Sequence, residues 1–173
     1  MYPAYRGHLA PTRLERFPLA WVAGENLLYL ATWALAGALV WPLRWQGWPL
    51  ATVAWAAVVV IVQVLLKKHI CSGCYYYGKT CHLGWGKLAA CLFPRDSGRR
   101  DTGVRLAWFY VASPPLFVLV GLLVGALLPV SPSHWATLGA YVALNALSFP
   151  VRRRGCGQCA MRAVCPGSAA SAP

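Results

Sequence analysis

Acidic residues are nearly missing from this chain: Glu15, Glu25, Asp96 and Asp101 are the only four among 173 residues. Four scattered carboxylates supply neither the paired acids of general acid–base catalysis nor a carboxylate-rich metal box, and no nucleophile triad assembles from them. Histidine is equally scarce. His8, His69, His82 and His134 lie outside the long apolar runs or at their edges, which disfavours a haem held between helices. The glycines Gly78, Gly84 and Gly86 do not form a phosphate loop, since no G-x4-G-K-[S/T] occurs. Charge as a whole is thin, at 12% of residues, about half the fraction of a soluble domain, so a water-soluble globule is not expected.

What the chain has in abundance is apolar surface: 58% of residues are hydrophobic and the mean hydropathy is +0.50. A single domain of this length cannot hide that surplus in its own core, so lipid is the expected partner. Four apolar runs stand out, Leu19–Trp41, Trp48–Leu66, Leu106–Leu128 and His134 to about Val151. The first three match the length needed to cross hydrocarbon and the fourth is short for it. The first run follows a mostly polar segment and is longer than a signal-peptide core, so it is expected to stay in the mature protein. The expected organisation is a cytoplasmic segment 1–18, a transmembrane hairpin 19–66, a basic Cys-rich loop 67–105, a second hairpin 106–151 and a tail 152–173.

Lys and Arg number 16, and all but Arg44 fall in the N-terminal segment, the long loop or the tail. By the positive-inside rule this places both termini and the loop in the cytoplasm, and it accounts for the net charge of +12 without nucleic acid. Trp41, Trp45, Trp48 and Trp135 are expected to form an outer aromatic belt, and Trp21 and Trp108 an inner one. Pro114 and Pro115 should kink the third span. Glu25, about one turn inside the first span, is expected to find a structural partner more readily than to serve a proton or quinone role.

All seven cysteines lie outside the runs: Cys71, Cys74, Cys81 and Cys91 in the loop, Cys156, Cys159 and Cys165 in the tail. Facing a reducing compartment, they point to metal or thiol chemistry and not to structural disulfides. Each group begins with a basic run followed by C-x2-C-x5–6-C, and Cys156 lies 85 residues after Cys71. The chain therefore reads as two tandem hairpins, each followed by a cytoplasmic cysteine triad. A C-x2-C turn converges two thiolates on one ion or cluster, with further ligands arriving from a distance. Cys71, Cys74, Cys81 and Cys91 can make one four-thiolate site within the loop. The tail triad then needs a fourth ligand, for which His82 and His69 are the nearest candidates, unless Cys91 belongs to the tail instead.

The tail segment from Cys156 to Pro166, C-x2-C-x5-C-P, resembles the C-terminal cluster staple of CRISPR-adaptation nucleases and the auxiliary-cluster segments of radical-SAM enzymes. Cys165-Pro166 also resembles the Cys-Pro that closes a bacterial ferredoxin motif. These resemblances imply a [4Fe–4S] cluster and carry over none of the nuclease or radical-SAM activities. The four-span outline further resembles quinone-linked disulfide oxidases, but their working cysteines lie on the oxidising face, opposite to the face expected here. The sequence thus predicts an all-α integral membrane protein with one or two [4Fe–4S] centres on its cytoplasmic face. Such a protein would pass electrons between a cytoplasmic redox partner and a membrane complex, as an accessory subunit more than a stand-alone catalyst. Zinc tying loop to tail is the alternative, followed by thiol–disulfide exchange through Cys71 and Cys74, or metal carriage.

Overall fold

The computed structural model describes residues 10, 14–165 and 168–170. They form α1 (Leu19–Leu39), α2 (Leu50–His69), α3 (Trp85–Leu92), α4 (Arg100–Ala107), α5 (Phe109–Leu127) and α6 (Pro132–Gly157), with a 3-10 turn over Cys71–Gly73. There is no strand among them. Two helical stretches, Leu50–Gly73 and Arg100–Leu127, are long and apolar enough to cross a membrane.

Local chemistry explains the element ends. α2 starts directly after Pro49 and α6 carries Pro132 at its first position, where proline's fixed φ and missing N–H do no harm. Phe93, held extended by Pro94, stops α3. Between α1 and α2 the chain reverses through Gln46 and Gly47, both at positive φ, and Trp45 and Trp48 exchange backbone hydrogen bonds across the turn.

The fourth apolar run is not short once folded. α6 spans 26 residues, runs through Pro150 and the Arg152–Arg154 cluster, and ends beyond Cys156. The arginines stay helical because aromatic rings receive them: the Arg152 guanidinium lies over Tyr29 and Tyr110, and Arg154 over Trp21. The segment expected as loop holds two helices, α3 and α4, and α4 packs on α2.

Two cores result. Ala36, Leu39, Val40, Phe117, Leu138 and Tyr141 close the helix bundle, while large apolar side chains such as Leu27, Ile61, Leu119 and Phe149 point outward. The second core, at the end where the cysteines gather, is built from Phe17, Tyr76, Cys159, Ala160 and Met161. Tyr76 is its keystone: its hydroxyl donates to the Leu14 carbonyl at 2.7 Å and accepts from the Ala160 amide at 3.1 Å. Backbone bonds from Ala10 to Ala160, Leu14 to Gln158 and Phe17 to Thr80 strap the N-terminal segment across tail and loop. Tyr76→Phe removes both hydroxyl bonds and strands the buried Ala160 amide, so a loss of about 1–3 kcal/mol is expected in a denaturation midpoint series.

Candidate metal centre

The two C-x2-C motifs fold into the same turn. Cys74 N donates to Cys71 O at 3.3 Å, and Cys159 N to Cys156 O at 3.0 Å. In each, the second thiol accepts an amide hydrogen bond from two residues on, Tyr76 to Cys74 and Met161 to Cys159 at 3.4 Å. Amide bonds to sulfur are the contacts that stabilise thiolate ligands. The turns differ in setting, because Cys71 follows the end of α2 while Cys156 sits in the last turn of α6.

Loop and tail bring their cysteines to one place. Cys74, Cys81 and Cys165 all pack on the core that contains Cys159. Burial pushes the Cys74 thiol well above its ordinary pKa, and the neighbouring Cys71, Cys165 and Cys81 add to the rise. Cys159 is pushed up to about 12, first by burial and then by Cys165, Cys156 and Cys81. Burial is the larger cause at both thiols, and the neighbouring cysteines add to it. All seven are free thiols. Cys91 is exposed on α3 and is not among the thiols acting on Cys71, Cys74 or Cys159. Among the described residues no three His, Cys, Asp or Glu side chains have closed to metal-ligand spacing.

A positive environment surrounds the group. Lys67 is 5% exposed, lies over the Trp85 ring at 4.6 Å and bonds to the Gln63 carbonyl and side chain. It is an electrostatic neighbour of Cys71 and Cys81, and no carboxylate among the described residues pairs with it. Burial lowers the Lys67 pKa, and Cys71 and Cys81 act against that shift.

The histidines part company. His69 Nδ1 accepts the Arg99 amide at 3.0 Å and so anchors the start of α4. His82 instead joins the cysteine end: its Nδ1 lies 2.6 Å from Glu25 Oε2, and it hydrogen-bonds to Cys156. The second Glu25 oxygen accepts Trp21 Nε1 at 2.9 Å. Glu25 thus finds the structural partner expected of it. The resulting acid–imidazole–thiol line could not be assembled from the sequence, because its three members are 57 and 74 residues apart in order. Burial lowers the His82 pKa, but bonds to Cys156 and Glu25 outweigh it and raise it to about 10. Cys156 moves the opposite way to the other thiols: burial raises it, yet the His82 hydrogen bond, an amide at Ala169 and nearby positive charge bring it below the ordinary value. A carboxylate behind an imidazole is the arrangement that orients a histidine ligand.

Gly155 lets α6 reach this line, since a Cβ there would stand 2.8 Å from Glu25 Oε1 and 3.4 Å from His82 Nδ1. Gly155→Ala is therefore expected to displace Glu25 and lower the thermal midpoint by the equivalent of about 1–3 kcal/mol, whereas alanine at open Gly139 should not.

Compared with known proteins, the chain matches no family model, no curated protein and no solved structure.

Proposed function

We propose that this chain is a four-span integral membrane protein carrying a [4Fe–4S] centre at its cytoplasmic face, ligated by Cys71, Cys74, Cys81 and Cys165, for electron transfer to a membrane partner. The observation that carries the reading is the twice-built C-x2-C turn, each with an amide aimed at its second sulfur, delivered by loop and tail to one core beside the buried Lys67. A tetrathiolate cluster is anionic, and the Lys67 ammonium supplies the counter-charge. Cys156, Cys159 and His82 remain as the ligand set of a second centre. Outward-facing apolar side chains on α1, α2, α5 and α6 support four spans, and the basic residues at the cysteine end support a cytoplasmic location for it.

Metal and acid-labile sulphide analysis on anaerobically purified protein tests the proposal. Iron with matching sulphide, about four of each per chain or about eight if both sets are filled, is the expected result. Zinc without sulphide would establish the second reading, a structural ion locking loop to tail, which the Glu25–His82 pairing favours. The orientation is tested separately by a reporter fused after Pro173. It should be active only in the cytoplasm.

A further inference from the structure

Two cavities adjoin inside the bundle and share the Trp33 and Trp55 walls. The larger, about 880 Å³, opens along α1 and α2 past Leu30, Ala34, Val59 and Val60, of which Leu30 and Val60 are exposed. The smaller, about 180 Å³, has space for one substituted six-membered ring and is lined by Tyr29, Tyr110, Ser113, Asn145 and Arg152. Aromatic rings collar it: Trp33 meets Tyr29 at 5.6 Å, Tyr29 meets Tyr110 at 5.9 Å, Tyr110 meets Phe109 at 5.8 Å and Phe109 stacks on Trp55 at 5.5 Å. The larger cavity is apolar along Leu30, Ala34, Val59 and Val60 and polar at its far end, by Arg44, Ser131, His134 and Thr137; a hydroxyl-lined ring site beside such a groove suits an amphiphile with a flat polar head and a hydrocarbon tail.

The head site also touches the cysteine layer. Tyr110 is an electrostatic neighbour of Cys71 and Tyr29 of Cys156, while Trp85 lies against both rings at 6.4 and 6.3 Å. Tyr110 accepts from Gln63, which leaves its own proton to donate. The Tyr29 hydroxyl makes no hydrogen bond to another described residue. Two phenols and a guanidinium are donors suited to ring carbonyl oxygens, which are acceptors only.

We infer that the smaller cavity binds the head of an isoprenoid quinone and the larger groove its tail, with Tyr29, Tyr110 and Arg152 as the polar recognition set. Reduction of the ring would take two electrons, which a centre held by Cys71, Cys74, Cys81 and Cys165 would supply singly from a cytoplasmic reductant, and two protons from cytoplasmic water. Both C=O groups become C–OH. The electron supply rests on the function proposed above; the binding site does not.

The test is titration of the detergent-solubilised full chain with a decyl-substituted benzoquinone, read by quenching of tryptophan fluorescence. Saturable binding is expected in the wild type, weakened about tenfold when Tyr29→Phe and Tyr110→Phe are combined, and abolished by Ser113→Phe, which fills the head cavity. Unchanged thermal midpoints show that the variants are folded. Absence of saturable binding, or binding undiminished in Ser113→Phe, overturns the inference. A second readout mixes reduced protein, freed of excess reductant, with the quinone and measures quinol. Variant-sensitive binding without iron or sulphide in the protein keeps the site and removes the proposed centre, so the two failures are distinguishable.

Discussion

Cys74→Ser protein should emerge from anaerobic purification with iron and sulphide reduced at least about tenfold and its visible absorption lost, whereas Cys91→Ser protein should keep both. Cys74 has Cys71, Cys81 and Cys165 as electrostatic neighbours and accepts the Tyr76 amide, so under the proposed ligation a serine there removes one of the four ligands. Serine oxygen is a poor iron–sulphur ligand at neutral pH, because the hydroxyl does not ionise there. Cys91 is exposed on α3, and its loss leaves the converged set intact. Cys165→Ser is the discriminating companion. If it retains full metal while Cys91→Ser loses it, the site lies within the loop alone and the tail is not part of it.

Gly86→Ala is expected to destabilise the cysteine layer by about 3 kcal/mol or more. A Cβ at Gly86 would lie 2.0 Å from the Tyr76 carbonyl oxygen and 2.7 Å from that of Lys79. Backbone cannot swing aside as a side chain does. The Gly86 carbonyl also receives the Gly78 amide at 3.0 Å, so α3 would have to leave the 76–79 turn and uncover Tyr76. Limited proteolysis of residues 67–105 and the thermal midpoint report this directly. An alanine at Gly24, where a Cβ meets nothing within 4 Å, should leave both readouts unchanged.

Much of the architecture was legible because it follows from one-dimensional signals. Apolar run lengths located α1, α2 and α5. α6 was underestimated because the Arg152–Arg154 cluster looks like a stop, whereas Tyr29, Tyr110 and Trp21 receive these arginines from other helices. α4 was missed because its hydrophobic stripe is brief. Cysteine spacing marked all the thiols but not their grouping, since whether Cys91 or Cys165 joins Cys71, Cys74 and Cys81 depends on how loop meets tail. The Glu25–His82 contact was out of reach for the same reason. Trp21 and Glu25, one helical turn apart, were the only local trace of it.

The strap formed by Ala10 and by Leu14 to Phe17 bears on how the molecule is put together. Its bonds run to Thr80 in the loop and to Gln158 and Ala160 in the tail, and Tyr76 ties Leu14 to Ala160. The layer therefore closes only when the loop and the later tail are both in place. A chain interrupted after α5 lacks Cys159, Ala160 and Met161, and so lacks most of the core on which Phe17 and Tyr76 pack.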